Sequence, residues 1–346
     1  MADAKSLLEI AKEATARHGI ASDVGRSVSS GAELLCALLA QDVKDKPDGK
    51  AEIVEGVAKD RIVSVTDPEM RHGRKSAHQR FDGHKATVAV DAETGLITDV
   101  DILPGNAHDS RKVAEVVERS EEAVGEKVET IIGDTAYGSG AVRQEMADSG
   151  RRVVAKVAAA PQTGKFTKRD FRVDFENNRV TCPAGNACGD FTVVAARSGR
   201  GGKKEKVKRF TFDAQTCLAC PLRHKCVTGS AARSIELHPQ EQLLREAREF
   251  QRTEEFRKEH AVRVVVEHRI ARLIQLGIRK SRYFGRRKTL FQLLMAAAVA
   301  NLTLIAVPPL AGMGVFAASF VAFAVVLTLM TLQMRHKEPH KILSAA

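Results

Sequence analysis

An apolar run, Val128 to Ile132, stops at Gly133 and a carboxylate, and the chain continues Asp134-Thr135-Ala136-Tyr137-Gly138. A β-type run that ends in an acid, followed by a glycine-containing turn and a helical pattern, places Asp134 at the C-terminal tip of a strand. Such tips are where α/β sheets carry functional groups. An acid there also serves to cap the next helix. Two more acids bear on the choice. Asp67 ends an earlier strand-like pattern, Arg61 to Thr66, and Glu267 sits in a long helical stretch downstream. The order Asp, Asp, Glu suggests a divalent-metal phosphoryl-transfer site.

The 346 residues suffice for one large domain or two smaller ones. A formal net charge of +11, with Lys and Arg spread along the chain, favours a polyanionic partner, nucleic acid first. Trp is absent and there are only two Tyr, which argues against an aromatic platform for single-stranded bases. Phosphate contacts would have to dominate. Of six cysteines, five lie between Cys182 and Cys226, and the opening Met1-Ala2-Asp3-Ala4-Lys5 lacks signal-peptide character. That pattern points to a reducing cytoplasm and metal ligation rather than disulfides. Cys36, in the apolar run Leu34 to Ala40, reads as a buried small hydrophobe.

Residues 1–56 read as a helical, polar N-terminal segment closed by the turn Lys46-Pro47-Asp48-Gly49, with no helix-turn-helix pattern. The pattern then changes. Strands are expected over 61–67, over Lys85 to Asp91, and over Leu96 to Leu103 after the hairpin turn Ala92-Glu93-Thr94-Gly95. A helix is expected over His108 to Glu122, N-capped by Asp109 or Ser110. A strand ending at Asp134, a helix over Ser139 to Asp148 and a strand over Arg152 to Val157 follow. This order is that of a ribonuclease H-like α/β fold, a mixed sheet with flanking helices. By analogy with that fold, Asp67 and Asp134 would end adjacent strands. The expected divisions are 57–158 for the first catalytic part, 159–236 for a cysteine-rich insertion, 237–306 for the helical completion and 307–346 for a hydrophobic helical tail. Within the completion, Glu241 to Glu259 and Ala261 to Leu276 read as helices, Gly277 fits a C-cap, and Leu290 to Ile305 is a further apolar helix. The uncharged stretch Ala311 to Met334, followed by Arg335-His336-Lys337, has the length of a membrane span; a buried helix, a dimer contact or a rearranged reading frame are the alternatives.

Several motifs in this order resemble the bacterial insertion-sequence transposases of the DDE class, in the group with a cysteine-rich insertion before the catalytic glutamate. They are Ser64-Val65-Thr66-Asp67-Pro68-Glu69 with Gly83-His84-Lys85-Ala86, then Pro104-Gly105-Asn106-Ala107-His108-Asp109-Ser110, then Gly133-Asp134-Thr135-Ala136-Tyr137-Gly138. The insertion matches through Cys182-Pro183-Ala184-Gly185 and the run from Cys217 to Cys226, and the third acid through Arg263-Val264-Val265-Val266-Glu267. The resemblance spans about Arg61 to Ile305. It implies that Asp67, Asp134 and Glu267 hold two Mg²⁺ or Mn²⁺ ions, which hard carboxylate oxygens suit. It also implies a zinc site in the insertion, for which Cys182, Cys217, Cys220 and Cys226 are the ligands of choice, with Cys188 and His224 as alternates. DNA contacts are expected from Arg263, Arg74, Lys75, Lys85, Arg279 and Lys280; Arg263 could instead pair with Glu267, one helical turn away. Two positions depart from the family pattern: His260 stands where a tyrosine is usual, and Ile274 where a basic residue is. His72, His84 and His108 are assigned no role. The implied activity is cutting of transposon ends and joining of 3′-hydroxyls to target DNA, by a homodimer on double-stranded DNA in the nucleoid-containing cytoplasm. Membrane contact could come only through the tail. A truncated or inactive DNA-binding copy and a nuclease without strand transfer are the competing readings.

Overall fold

The structure is a computed structural model that describes residues 2–46, 50–56, 60–76, 78–159, 164–195, 206–227, 229 and 232–306. The uncharged run 311–334 lies outside the described residues. The chain divides into two compact units, one of residues 1–125 with 265–346 and one of residues 126–264.

The first unit opens with a helical hairpin, α1 (Ala2–His18) and α2 (Asp23–Asp42), followed by the short antiparallel pair β1 (Val43–Asp45) and β2 (Ala51–Ile53). Ser22 caps α2 by accepting from the Gly25 N–H. Cys36, read from sequence as buried, is exposed on α2. The reason is that this hairpin is only two helices thick and buries one face of its apolar run. Next come β3 (Arg71–Arg74), β4 (Arg80–Val90) and β5 (Ile97–Pro104), a three-stranded antiparallel sheet. The β4–β5 hairpin is the one the sequence predicts, turning where Asp91 accepts from the Thr94 N–H.

The expected strand at 61–67 does not form. Its backbone donors go to side chains instead of a ladder: the Ile62 N–H to Gln41 Oε1 at 2.7 Å, the Asp67 N–H to Ser64 Oγ at 3.1 Å. Asp67 therefore ends no strand, and the placement of Asp67 and Asp134 on adjacent strand tips is corrected accordingly. The helix predicted from His108 begins later, as α3 (Val113–Val124), with Lys112 rather than Asp109 or Ser110 before it. Lys85 Nζ holds both the Ala107 carbonyl and Asp109 Oδ1 at 2.8 Å, and a succession of turns occupies the residues between.

The second unit starts with β6 (Thr130–Ile132), α4 (Gly140–Asp148) and β7 (Arg152–Val154); β6 and β7 pair in parallel with α4 as the crossover. Two small antiparallel sheets follow. One holds β8 (Arg172–Asp174), β9 (Arg179–Thr181) and β10 (Ala187–Cys188); the other holds β11 (Phe191–Ala195), β12 (Lys206–Thr211) and, after the short helices α5 (Ala214–Leu218) and α6 (Arg223–Cys226), β13 (Ser234–Leu237). They share a core of Phe171, Val180, Phe210, Phe212, Ile235 and Leu237. The long charged helix expected over 241–259 is two, α7 (Glu241–Phe250) and α8 (Glu254–Ala261), because Thr253 takes the Phe256 N–H and restarts the helix. Glu241, 1% exposed, is paired by Lys168 and by Arg248 at 3.5 Å, which fastens the loop before β8 to α7.

The chain then returns to the first unit with α9 (Val264–Gln275) and α10 (Arg286–Ala306). Gly277 closes α9 as predicted, at φ +91°, a conformation that L side chains adopt only with strain. Among the described residues α10 is the one helix long and apolar enough to cross a membrane. Its Leu293, Ala296, Ala297 and Ala300 are buried with Ile97, Val100 and Ile102 of β5 and Leu273 of α9. Within that apolar face Asn301 bonds β5 twice, accepting from the Ile97 N–H at 2.9 Å and donating to its carbonyl at 2.8 Å. Asn301→Leu would strand both backbone groups, at about 1–3 kcal/mol each. We expect a lower urea midpoint with an unchanged denaturation slope; an unchanged midpoint would refute this role.

Candidate active site and thiol cluster

Asp67 lies in a turn between β2 and β3, is 1% exposed, and has its carboxylate held on both oxygens. Oδ2 accepts from the Gly285 N–H at 2.8 Å and from His84 Nε2 at 3.1 Å; Oδ1 accepts from the Glu69 N–H at 3.2 Å. A carboxylate oxygen only accepts, so His84 carries its proton on Nε2 here. Glu69 completes the clasp. Its Oε2 takes the Arg286 N–H at 2.8 Å and its Oε1 takes Arg286 Nε at 2.9 Å. The two acids thus satisfy the first N–H groups of α10, which have no partner within the helix. Gly285 supplies the left-handed turn, φ +87°, that aims its N–H at Asp67.

Burial pushes the Asp67 carboxyl up, but the Gly285 N–H, His84 and the Glu69 N–H outweigh it, and the group sits below the ordinary aspartate value. Glu69 is lowered too, first by the Arg286 N–H and then, against burial, by the Arg286 guanidinium.

Asp134 is different. It follows β6 in the second unit and is exposed. Its Oδ1 caps the short turn of helix at 135–138 by accepting from the Ala136 N–H at 2.8 Å. The Gly133 N–H before it bonds the Val154 carbonyl of β7 at 3.1 Å. His260 of α8 hydrogen-bonds the Gly133 backbone, while burial, then Lys156 and Arg263, hold its imidazole below the ordinary value. Glu267 lies exposed in the first turn of α9, and Arg263 is half-buried. Arg74, Lys75, Arg279 and Lys280 are exposed, whereas Lys85 spends its ammonium on the chain's own Ala107 and Asp109. Among the described residues, no three His, Cys, Asp or Glu side chains stand together as a metal site.

The cysteines sort cleanly. Cys182, Cys217, Cys220 and Cys226 line one cavity with Phe212, Arg223 and Arg233. Burial raises the Cys226 thiol, Arg233 opposes that, and the neighbouring Cys217, Cys182 and Cys220 add to the rise. Arg223 Nη1 bonds the Cys217 carbonyl and Arg233 Nη1 the Cys226 carbonyl, each at 3.1 Å. Cys188, an alternate ligand by sequence, instead points its thiol at the Asp190 and Thr211 carbonyls in the core. His224 does not line the cavity.

Sequence reasoning passed over His84, Glu69 and Gly285 as partners of Asp67. Glu69 stood inside a motif it had singled out, but nothing local announces contacts with residues 285 and 286.

Residues 181–306 match the family model described as the transposase DDE domain. This stretch, about a third of the chain, holds Glu267, the four cavity cysteines and α10. Asp67 and Asp134 precede it. No curated protein and no solved structure matches the chain.

Because its folded-state value is lowered, ionised Asp67 contributes stability that is present above the ordinary value of about 3.9 and lost as pH falls through the lower one. The stability gap between the wild type and Asp67→Asn should therefore be constant near neutrality and shrink below about pH 4. A gap that stays constant down to pH 2 in acid-denaturation curves would contradict this.

Proposed function

We propose that the chain is an insertion-sequence transposase that cuts transposon ends and joins their 3′-hydroxyls to target DNA. The observation that carries this is the match over residues 181–306, which includes Glu267 in the Arg263-x-x-x-Glu267 pattern. A ribonuclease H-like catalytic domain accompanies the proposal. Asp67, Asp134 and Glu267 are its metal-holding acids, and as carboxylates they fit Mg²⁺ or Mn²⁺ in kind. When bound, such ions stabilise the attacking and leaving oxygens of an in-line phosphoryl transfer. The protein's own part is to offer the donors. Asp134 has its turn held by bonds to Gly133 and Ala136, and its second oxygen bonds no described residue. Exposed Arg74, Lys75, Arg279 and Lys280 would grip backbone phosphates without reading sequence.

One observation favours a second reading, a DNA-binding copy that does not transfer strands: Asp67 is buried with both oxygens engaged. A single assay separates the two. Purified protein, Mn²⁺ and a labelled duplex ending in the element's pre-cut terminus should yield product joined to plasmid. Asp134→Asn should abolish joining while leaving folding intact. Joining that survives this substitution would overturn the acid assignment; DNA binding without joining in the wild type would establish the second reading.

For the thiol cluster we propose a structural zinc site. Thiolates are the donor type that tetrahedral zinc takes, and the four that line this cavity would have to draw together around the ion. Elemental analysis should find one zinc per chain, lost with its fold-stabilising effect in Cys220→Ser. A metal-free, equally stable protein would refute the site.

A further inference from the structure

The loop 276–285, which joins α9 to α10, presents two aromatic rings to solvent. Tyr283 is 46% exposed and Phe284 61%, and neither ring stacks on another among the described residues. Adjacent rings left in water forgo the stabilisation that burial would bring. The loop backbone is nonetheless held. Gln292 of α10 accepts from the Arg282 N–H at 2.8 Å and donates to the Lys280 carbonyl at 3.2 Å. Ser281 Oγ donates to the Tyr283 carbonyl at 2.6 Å, and the Gly285 N–H is fastened to Asp67. The rings therefore stand on a backbone fixed on either side of them. Around them Arg279, Lys280, Arg282, Arg287 and Lys288 are exposed and form no ion pair among the described residues, and the chain from 268 to 306 contains no acidic residue. Two free rings amid unneutralised cations suit a partner that carries anionic groups and flat apolar faces together, and nucleic acid is such a partner. The loop also falls inside the stretch that matches the transposase DDE domain.

We propose that Tyr283 and Phe284 stack on unpaired bases at a DNA end while the surrounding cations hold the adjoining duplex by its phosphates. A duplex covers the faces of its bases except at its end, so the rings reach them only where pairing has stopped or been opened. The feature read is thus the junction of duplex and unpaired strand rather than a base sequence. The scarcity of aromatic residues excludes a long platform, but one of the only two tyrosines stands here beside a phenylalanine, which suffices for a short contact. The proposal rests on the reading that the chain acts on DNA and is independent of where metal ions are held.

The test is fluorescence anisotropy of the full chain with two labelled DNAs, a blunt duplex and the same duplex carrying a short unpaired overhang. Divalent ions are left out so that no strand is cut, salt is varied, and thermal melts report folding separately. Wild type should bind the overhang DNA more tightly by about tenfold, the scale of stacking on a base. Tyr283→Leu with Phe284→Leu, which keeps the apolar bulk, should erase that preference and leave blunt-duplex affinity unchanged. Tyr283→Phe with Phe284→Tyr, which keeps both rings, should retain it. Arg287→Gln with Lys288→Gln should weaken both DNAs alike and reduce the slope of log affinity against log salt by about two. If wild type binds the two DNAs equally, or the leucine pair keeps the preference, the proposal falls while the DNA reading stands. If wild type binds neither DNA, the DNA reading fails with it. Binding to phosphatidylserine vesicles that the leucine pair abolishes, without any preference between the DNAs, would assign the loop to an anionic lipid surface and overturn the proposal.

Discussion

Strand β5 is covered on both faces, and the first unit is built to meet that constraint. A strand with two buried faces must pair every backbone group and find partners for any polar side chain it carries. On one side α10 supplies Leu293 and a run of alanines that let the helix approach closely, with Asn301 bonding the end of the strand. On the other, Asp99 and Asp101 face α3, where Arg119 grips both, at 2.7 Å and 3.2 Å. Burial raises the Asp99 carboxyl in spite of Arg119. Removing the arginine would leave a buried charge uncompensated, so this pair serves to specify how α3 seats.

Seating α10 on β5 has a consequence some two hundred residues back in the chain. The start of α10 meets the turn at 67–69, and its unpaired N–H groups are satisfied by Asp67 and Glu69 rather than by a local cap. Carboxylates are well suited to that end of a helix, where the backbone dipole favours negative charge. Asp67 thereby becomes ionised, oriented and enclosed at once. Asp134, drawn from a similar acid-and-turn motif, is held by its own turn and stays exposed. The two acids are thus held in different ways, one by partners far away in the chain and the other by its own turn.

Much of this was legible in the sequence. The β4–β5 hairpin, the strand before Asp134, α4 and the Gly277 cap follow from alternation, turn residues and helix stop signals, all of which act within a few residues. Cys182, Cys217, Cys220 and Cys226, grouped by the sequence motifs, line one cavity. What misled was competition from side chains. The run from Arg61 has the composition of a strand, yet Gln41 and Ser64 take backbone donors that a ladder would need. Cys188 had the same credentials as its neighbours and went to the core instead.

By itself the sequence determined the kinds of donor present, the local elements and the basic surface, because these depend on residue type and near neighbours. Only the tertiary structure decided which donors are engaged. His84, Glu69 and Gly285 acquire their meaning when α10 docks on β5 and brings residues 285 and 286 to 67 and 69. That meeting is set by apolar packing between elements far apart in the chain, and no local pattern encodes it.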